Sequence, residues 1–363
     1  MSIILFLLVL FVLVLVHEWG HYIVAKKTGM QVDEFAIGFP PRLFSIKKGE
    51  TEYSINLLPI GGYVRILGEN PQTAGETTAN PRSFVARPRW AQTLVLIAGV
   101  TMNVLFAWVL FFATFLIGVP TAVDESEASP EARLHITQVL PGSPLMEANI
   151  PPGAEVVSLS TTDSSLETLT PASFTEFVQA HASEALSLGY REEDSVLYKT
   201  VTPVTGLIPD DTERAVVGVS LVLVENQKQP FIAAVVSASG ATVQGLKDIT
   251  VGLYTLLRNT VRGTADFSDV AGPVGIVGLV GDAASYGITS LLMFTAMISL
   301  NLAVINLLPV PALDGGRLVF VAIEAITRRP LNPIWTIRLN LLGFALLMIL
   351  MVVITWHDIA KLL

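Results

Sequence analysis

No cysteine occurs anywhere in the chain. Disulfides and thiolate metal ligands are therefore excluded, and any metal site must be built from His, Asp or Glu. Charge is scarce as well. Only 15% of the 363 residues are charged, where a soluble domain carries about a quarter. Hydrophobic residues make up 52%, and mean hydropathy is +0.60. That balance argues against an ordinary soluble globule and predicts a multi-pass membrane protein. Positive charge is also in deficit. The formal charge of -9 gives no reason to expect nucleic acid as a partner. Histidine is rare, five in all, yet two of the five stand four residues apart.

Long apolar runs are what the sequence has in plenty. Four stretches, 2–24, 91–119, 288–312 and 334–356, reach the roughly 20 residues that cross a bilayer as a helix. The first holds fourteen unbroken apolar residues, Ile3 to Val16. It has no basic segment ahead of it and no small-residue cleavage site behind it, so a retained helix is expected rather than a signal peptide.

The segments between the spans differ in kind. Residues 25–68 are basic and β-rich: Leu43 to Ile46 and Tyr53 to Ile55 flank a turn at Lys47 to Thr51, and "PIGGYVRIL" adds a further β-rich piece. Residues 69–90 are polar and rich in Pro and Thr, and predict a linker. Residues 122–228 predict one soluble α+β domain, with strands such as Leu134 to Thr137 and Val156 to Leu159 and a helix over Ser173 to His181. In 231–287, apolar residues at Val243, Leu246, Ile249, Leu253, Leu256 and Leu257 follow helical spacing. They predict an interfacial amphipathic helix, followed by a Gly-rich loop.

Lys and Arg set the orientation. The 25–90 loop holds nine, and Arg317, Arg328 and Arg329 follow the third span, whereas the whole of 120–287 holds eight. The positive-inside rule places the short basic loops in the cytoplasm. Both termini and the 122–228 domain are then expected outside it, with the protein in the cell (inner) membrane.

"HEWGH", His17 to His21, closes the first apolar run. It fits H-E-x-x-H. On a helix the two imidazoles lie one turn apart on one face and can reach a single metal, while Glu18 stands beside them as a base toward water. Such a site needs a third ligand and a position left for water. The alternative is a helix end whose polar residues meet the lipid headgroups. Ionisable groups in a membrane segment are, however, functional by default. Asp314, near the end of the third span, is the candidate third ligand. His17 lies about 24 Å along the first helix at 1.5 Å per residue, near its cytoplasmic end. The third span runs from outside to inside, so Asp314 reaches a similar depth. An Asp-Gly helix end is the plainer reading of Asp314 alone. His135, His181 and His357 have no partner at ligand spacing; His357, beside Asp358, reads as a membrane-interface residue.

These motifs resemble the site-2 protease family of intramembrane zinc metalloproteases, in particular the bacterial branch that includes regulator of sigma-E protease. The resemblance rests on "HEWGH" and "NLLPVPALDGG", with "FAIGFPPRLFS", "LLPIGGYVRILGE", "AGVTMNVLFA" and "AGPVGIVGLV" between them in the same order. It implies that His17, His21 and Asp314 bind Zn2+ and that Glu18 is the general base. It implies that Asn306 holds substrate or a developing oxyanion. Gly99 and Asn103 match a small-x-x-x-Asn element, with Val100 where the family often has Pro; Asn103 is then a substrate-side residue or a plain inter-helix hydrogen bond. Gly61, Gly62, Tyr63 and Val64 match a membrane-re-entrant β-hairpin that would hold an unwound substrate by strand addition. The outer domain resembles a PDZ module: "VLPGSPLMEANIPPGAEVVSL" keeps the pattern, with Asn149 at a step where Gly is usual and Ala154 where Asp is usual.

The expected fold is thus a polytopic α-helical membrane protein with about four transmembrane helices, a re-entrant β-hairpin and one α+β PDZ-like domain. The expected function is regulated intramembrane proteolysis of single-pass membrane substrates, of anti-sigma-factor or remnant-signal-peptide type. The expected partners are those substrates, a peptide or protein at the PDZ-like domain, and the bilayer. The alternatives are a catalytically inactive membrane-anchored PDZ scaffold, or a small transporter with an ionisable midplane site. The second lacks a matching broken-helix repeat.

Overall fold

The computed structural model describes residues 2–69, 80–192, 195–207, 211–264 and 271–362. The chain forms two compact units, Met1–Leu116 with Pro230–Leu363, and Ile117–Gln229.

The first unit is mostly helical. Helix α1 is Ser2–Lys27 and α2 is Arg89–Ile117. Each is apolar around most of its circumference, which suits lipid on one side and protein on the other. On α1 only the stripe Val9, Leu13, His17, Gly20, His21 and Ala25 is buried; Ile3, Ile4 and Leu8 face outward. Four helices are long and apolar enough to cross a membrane: α1, α2, α7 (Ile288–Asn306) and α9 (Pro333–Leu362). On α9 the residues Leu341, Leu342, Leu346, Ile349 and Val352 are all exposed, as a lipid-facing helix requires. The protein is a multi-pass membrane protein.

Three helices depart from the sequence expectation. The amphipathic helix expected over Val243 to Val261 is α5, and it runs from Phe231 to Arg262. Its first half buries Ala234, Ala238, Thr242 and Gly245, with Ala238 packed against Ala107, Phe111, Ala296 and Leu300 of α2 and α7. Small residues mark this face, as they do where membrane helices approach closely, and a search for large apolar residues passes over them. The expected Gly-rich loop is in part helix α6, Pro273–Ser285, begun by Pro at its first position. It packs on α1, α7 and α9, with Gly275 against Asp358 of α9 and Gly281 against Ser2 of α1. The third expected span, 288–312, ends as helix at Asn306. Pro309 and Pro311 cannot continue the helix ladder, and the chain restarts as α8, Asp314–Thr327.

Strands β1 (Val32–Lys48) and β2 (Thr51–Ile66) form an antiparallel pair with an unusual register. Residues 34–37 of β1 pair on one side with Glu52, Tyr53, Ser54 and Ile55, and on the other with Arg65, Val64, Tyr63 and Gly62. Residues 42–48 pair with the first half of β2. In space this makes four short strands in the order 42–48, 51–56, 32–37, 62–66. The 62–66 segment is an edge, with no strand on its outer side among the described residues. Phe39, Leu43, Phe44, Ile46, Ile55, Leu57 and Leu58 of this sheet are exposed.

The second unit is a six-stranded antiparallel sheet in the order β3-β8-β4-β5-β6-β7. The strands are β3 (Val119–Val123), β4 (Arg133–Val139), β5 (Glu155–Ser160), β6 (Leu186–Glu192), β7 (Ser195–Val201) and β8 (Val219–Gln227). Helix α3 is the single turn Pro144–Glu147, and α4 is Pro171–Ala180, begun by a capping box at Thr170 and Ser173. Leu134, Leu145, Leu159, Leu186, Leu188 and Tyr190 fill its core. Asn149 takes a left-handed turn at φ 55°, which Asn tolerates better than other non-glycine residues. A groove of about 260 Å³ runs between Phe174, Thr175 and Val178 of α4 and the segment 214–221 leading into β8.

Candidate metal centre

Helical spacing puts His17 and His21 on the buried stripe of α1, where they are 9% and 8% exposed. The third group comes from 297 residues further on. Asp314 is the first residue of α8, and the turn before it is held tight by backbone. A side chain at Gly315 would strike the carbonyls of Leu307 and Leu308, and one at Gly316 the carbonyl of Val310. Only glycine lets the helix fold back this closely on its own approach.

Three donor atoms converge there. His17 Nε2 lies 3.1 Å from Asp314 Oδ2, His21 Nε2 lies 3.3 Å from the same oxygen, and the two Nε2 atoms are 3.1 Å apart. Donors about 2.0–2.1 Å from a common tetrahedral centre stand about 3.3 Å from one another. The observed triangle therefore fits zinc, and its two-imidazole, one-carboxylate set is the chemistry zinc accepts. Among the described residues it is the one cluster of this kind. His21 donates from Nδ1 to the Val95 carbonyl at 2.8 Å, which fixes its tautomer with Nε2 free for a cation.

Space for the two rings is made on α2. A Cβ at Gly99 would stand 2.5 Å from His21 Nε2, 2.6 Å from His17 Cε1 and 2.8 Å from His17 Nε2. One residue earlier the helices touch through backbone: a Cβ at Gly20 would stand 2.5 Å from the Ala98 carbonyl oxygen. Gly99 was recognisable only as part of a motif; its function as the floor under both imidazoles has no signature in the sequence.

Glu18 faces the sheet. A Cβ at Gly62 would lie 3.7 Å from Glu18 Cγ and 2.8 Å from the Ala36 carbonyl. Phe11, Leu15, Glu18, Ala36, Ile37, Gly61 and Gly62 line a narrow crevice between α1 and the sheet. Gly61, Gly62, Tyr63 and Val64 all lie on or beside the open edge strand, with Tyr63 stacked on Phe39. Asn306 is the last residue of α7, half-buried, and no hydrogen bond occupies its amide among the described residues. Asn103 lies in the interior of the helical unit. It is completely buried, with its amide 3.3 Å from His17 Nδ1. A further pair was not foreseen: Arg317, one turn beyond Asp314, binds Glu69. His135, His181 and His357 take no part in the cluster.

The family model for peptidase family M50 matches residues 5–350. A Clostridium perfringens protein that carries a zinc metalloprotease name is 35% identical over 365 residues, covering 99% of this chain and 98% of its own. The zinc metalloprotease RasP of Geobacillus kaustophilus is 30% identical, with 99% and 98% covered. The regulator of sigma-W protease RasP of Bacillus subtilis is 28% identical, with 99% of each chain covered. A match over nearly the full length, in a range that contains the converging residues, means that the chain belongs to peptidase family M50, the site-2 protease family of zinc metalloproteases that its motifs resemble.

Proposed function

We propose that the protein cuts single-pass membrane substrates within the bilayer, near its cytoplasmic side, with His17, His21 and Asp314 as zinc ligands and Glu18 as general base. The observation that carries this reading is the convergence of the three donor atoms next to Glu18 and the Gly62 strand. Zinc held there would polarise the scissile carbonyl and lower the pKa of water. Glu18 takes the proton of the attacking water and returns it to the leaving amine. Asn306, with its amide unoccupied among the described residues, donates to substrate or to the developing oxyanion.

A transmembrane helix hides its peptide bonds in its own hydrogen bonding, so it must be unwound before it can be cut. The open edge at 62–66 supports strand addition as the means. Gly61 and Gly62 keep that edge thin where it passes Glu18. The exposed apolar residues of the sheet support a hairpin that dips into the membrane, as a re-entrant element would. The groove between α4 and β8 supports a PDZ-like domain that takes an extended peptide or limits access by size. The basic loops keep the metal centre on the cytoplasmic side and the sheet domain and both termini outside. The Bacillus subtilis relative is named for regulating sigma-W, which favours an anti-sigma-type substrate over a remnant signal peptide.

Purified Glu18→Gln protein tests the assignment. It should retain zinc and lose cleavage of a model transmembrane substrate by several orders of magnitude. Undiminished cleavage would refute it.

A further inference from the structure

Asn103 lies on α2, four residues beyond Gly99 and behind the metal triangle. It is fully buried, 0% exposed. Its backbone carbonyl accepts from Ser299 Oγ of α7 at 2.8 Å, so it stands where α1, α2 and α7 meet. Its carboxamide faces His17 Nδ1 at 3.3 Å.

A neutral imidazole has one proton. His17 directs Nε2 at Asp314 and His21, so a cation held there takes the Nε2 lone pair and leaves the proton on Nδ1. The group facing Nδ1 must then accept. A carboxamide can present either end. With its nitrogen toward His17, Oδ1 is buried without a hydrogen-bond partner, and two donors face each other. With its oxygen toward His17, Nδ1–H donates to Oδ1. The first orientation leaves Oδ1 without a partner and sets N–H against N–H, so the histidine's proton favours the other one. His21 receives the same service from the main chain, through the Val95 carbonyl. The two histidines are therefore oriented differently: one by backbone that no substitution removes, the other by a side chain.

We propose that Asn103 is a positioning residue of the metal centre: its side-chain oxygen accepts from His17 Nδ1–H and holds that ring in the tautomer and orientation that bind zinc. It rests on the metal-site reading above, and it replaces the substrate-side role expected of Asn103. Outer partners of metal-bound histidines are worth roughly 10- to 100-fold in metal affinity.

The test is zinc affinity of the purified full chain, by competition with a chromophoric chelator, and the visible spectrum of the cobalt-loaded protein. Asn103→Leu, of similar volume and without an acceptor, should weaken zinc binding about 10- to 100-fold and shift the cobalt bands. Asn103→Asp, which keeps an acceptor oxygen, should stay within a few-fold of wild type. A role limited to joining the helices would lower the melting temperature and leave zinc affinity and cobalt bands unchanged, and that result overturns the inference. So does Asn103→Leu that binds zinc normally and loses only cleavage. Should Asn103→Leu not fold, ring-nitrogen NMR of the zinc-loaded wild type decides. A hydrogen-bonded proton on Nδ1 of His17 supports the inference, and metal ligation through Nδ1 refutes it. Wild-type protein that binds no zinc would sink the metal reading and this inference together; zinc binding untouched by Asn103→Leu sinks only the inference.

Discussion

Gly99→Ala adds one methyl group at the point where α2 supports the two histidines. An alanine Cβ there would sit 2.5 Å from His21 Nε2 and 2.8 Å from His17 Nε2. Nonbonded carbon contacts settle near 3.5 Å, so the rings must retreat by roughly 0.7–1.0 Å. Metal sites tolerate only about 0.2 Å in ligand distance. The helices cannot simply part to make room. His21 is tied to the Val95 carbonyl of α2, and Gly20 rests on the Ala98 backbone, so separating α1 from α2 pulls His21 off its position as well. Losing an outer partner costs 10- to 100-fold in affinity; displacing the ligands themselves should cost at least about 100-fold, or ~2.7 kcal/mol. The same substitution favours the helix by about 1 kcal/mol. Gly99→Ala should therefore leave melting intact when zinc is absent and lose zinc-dependent stabilisation and cleavage. Chelator competition and thermal melting with and without zinc measure the two effects separately. Gly99→Ala protein that binds zinc within threefold of wild type and cleaves at full rate would refute the packing argument.

The remaining predictions concern the surroundings of the site. Glu50, at the hairpin turn, is held at about 2 by its hydrogen bonds to Arg82 and Lys26, each at 2.5 Å. A carboxylate whose pKa is lowered on folding stabilises above its unfolded value and loses that contribution as pH falls through the folded one. The gap in melting temperature between wild type and Glu50→Gln should thus be full at pH 7, shrink below the ordinary carboxylate range, and close near pH 2. Asp358 accepts from the Gly272 and Gly275 N–H groups at 3.0 and 2.8 Å, capping α6 from α9; Asp358→Ala should cost about 1–2 kcal/mol and speed hydrogen exchange of those two amides. Pairing of the edge strand with substrate predicts that Gly62→Val, whose Cβ meets the Ala36 carbonyl, impairs cleavage at least tenfold with zinc content unchanged.

Much of the candidate site was legible because its chemistry is written in rare residues. A pair of histidines at i and i+4 in an apolar run has few structural explanations, and the depth argument led to Asp314 without knowledge of the contacts. The hairpin was legible from its turn. The spans were legible from length and hydropathy, although the third overran into the Pro309 and Pro311 link. What remained hidden was carried by small residues. Gly275, Gly278 and Gly281 read as loop and lie in helix α6, and Ala234, Ala238 and Gly245 of α5 form a buried face with no apolar period to detect. Hydropathy reports which side chains avoid water, and in a bilayer every lipid-facing residue does so. It cannot report which faces meet each other.

That limit explains how the proposed metal centre is specified. The three donors sit on α1 and α8, and nothing in their own sequence fixes how far apart those helices stand. The distances are set by glycines that contribute no chemistry: Gly20 against Ala98, Gly99 beneath the imidazoles, Gly315 and Gly316 against the link that precedes them, and Gly343 against the Pro311 carbonyl. At each, a methyl group would strike backbone or a ligand ring rather than a flexible side-chain end. Damage from enlarging Gly20, Gly99, Gly315 or Gly316 should therefore appear first in zinc affinity. Enlarging Gly281, whose added Cβ would meet only the Ser2 side chain, should leave the metal site untouched. If substitutions in both groups lowered zinc affinity alike, the spacing of the donors would be a property of the whole bundle rather than of these backbone contacts.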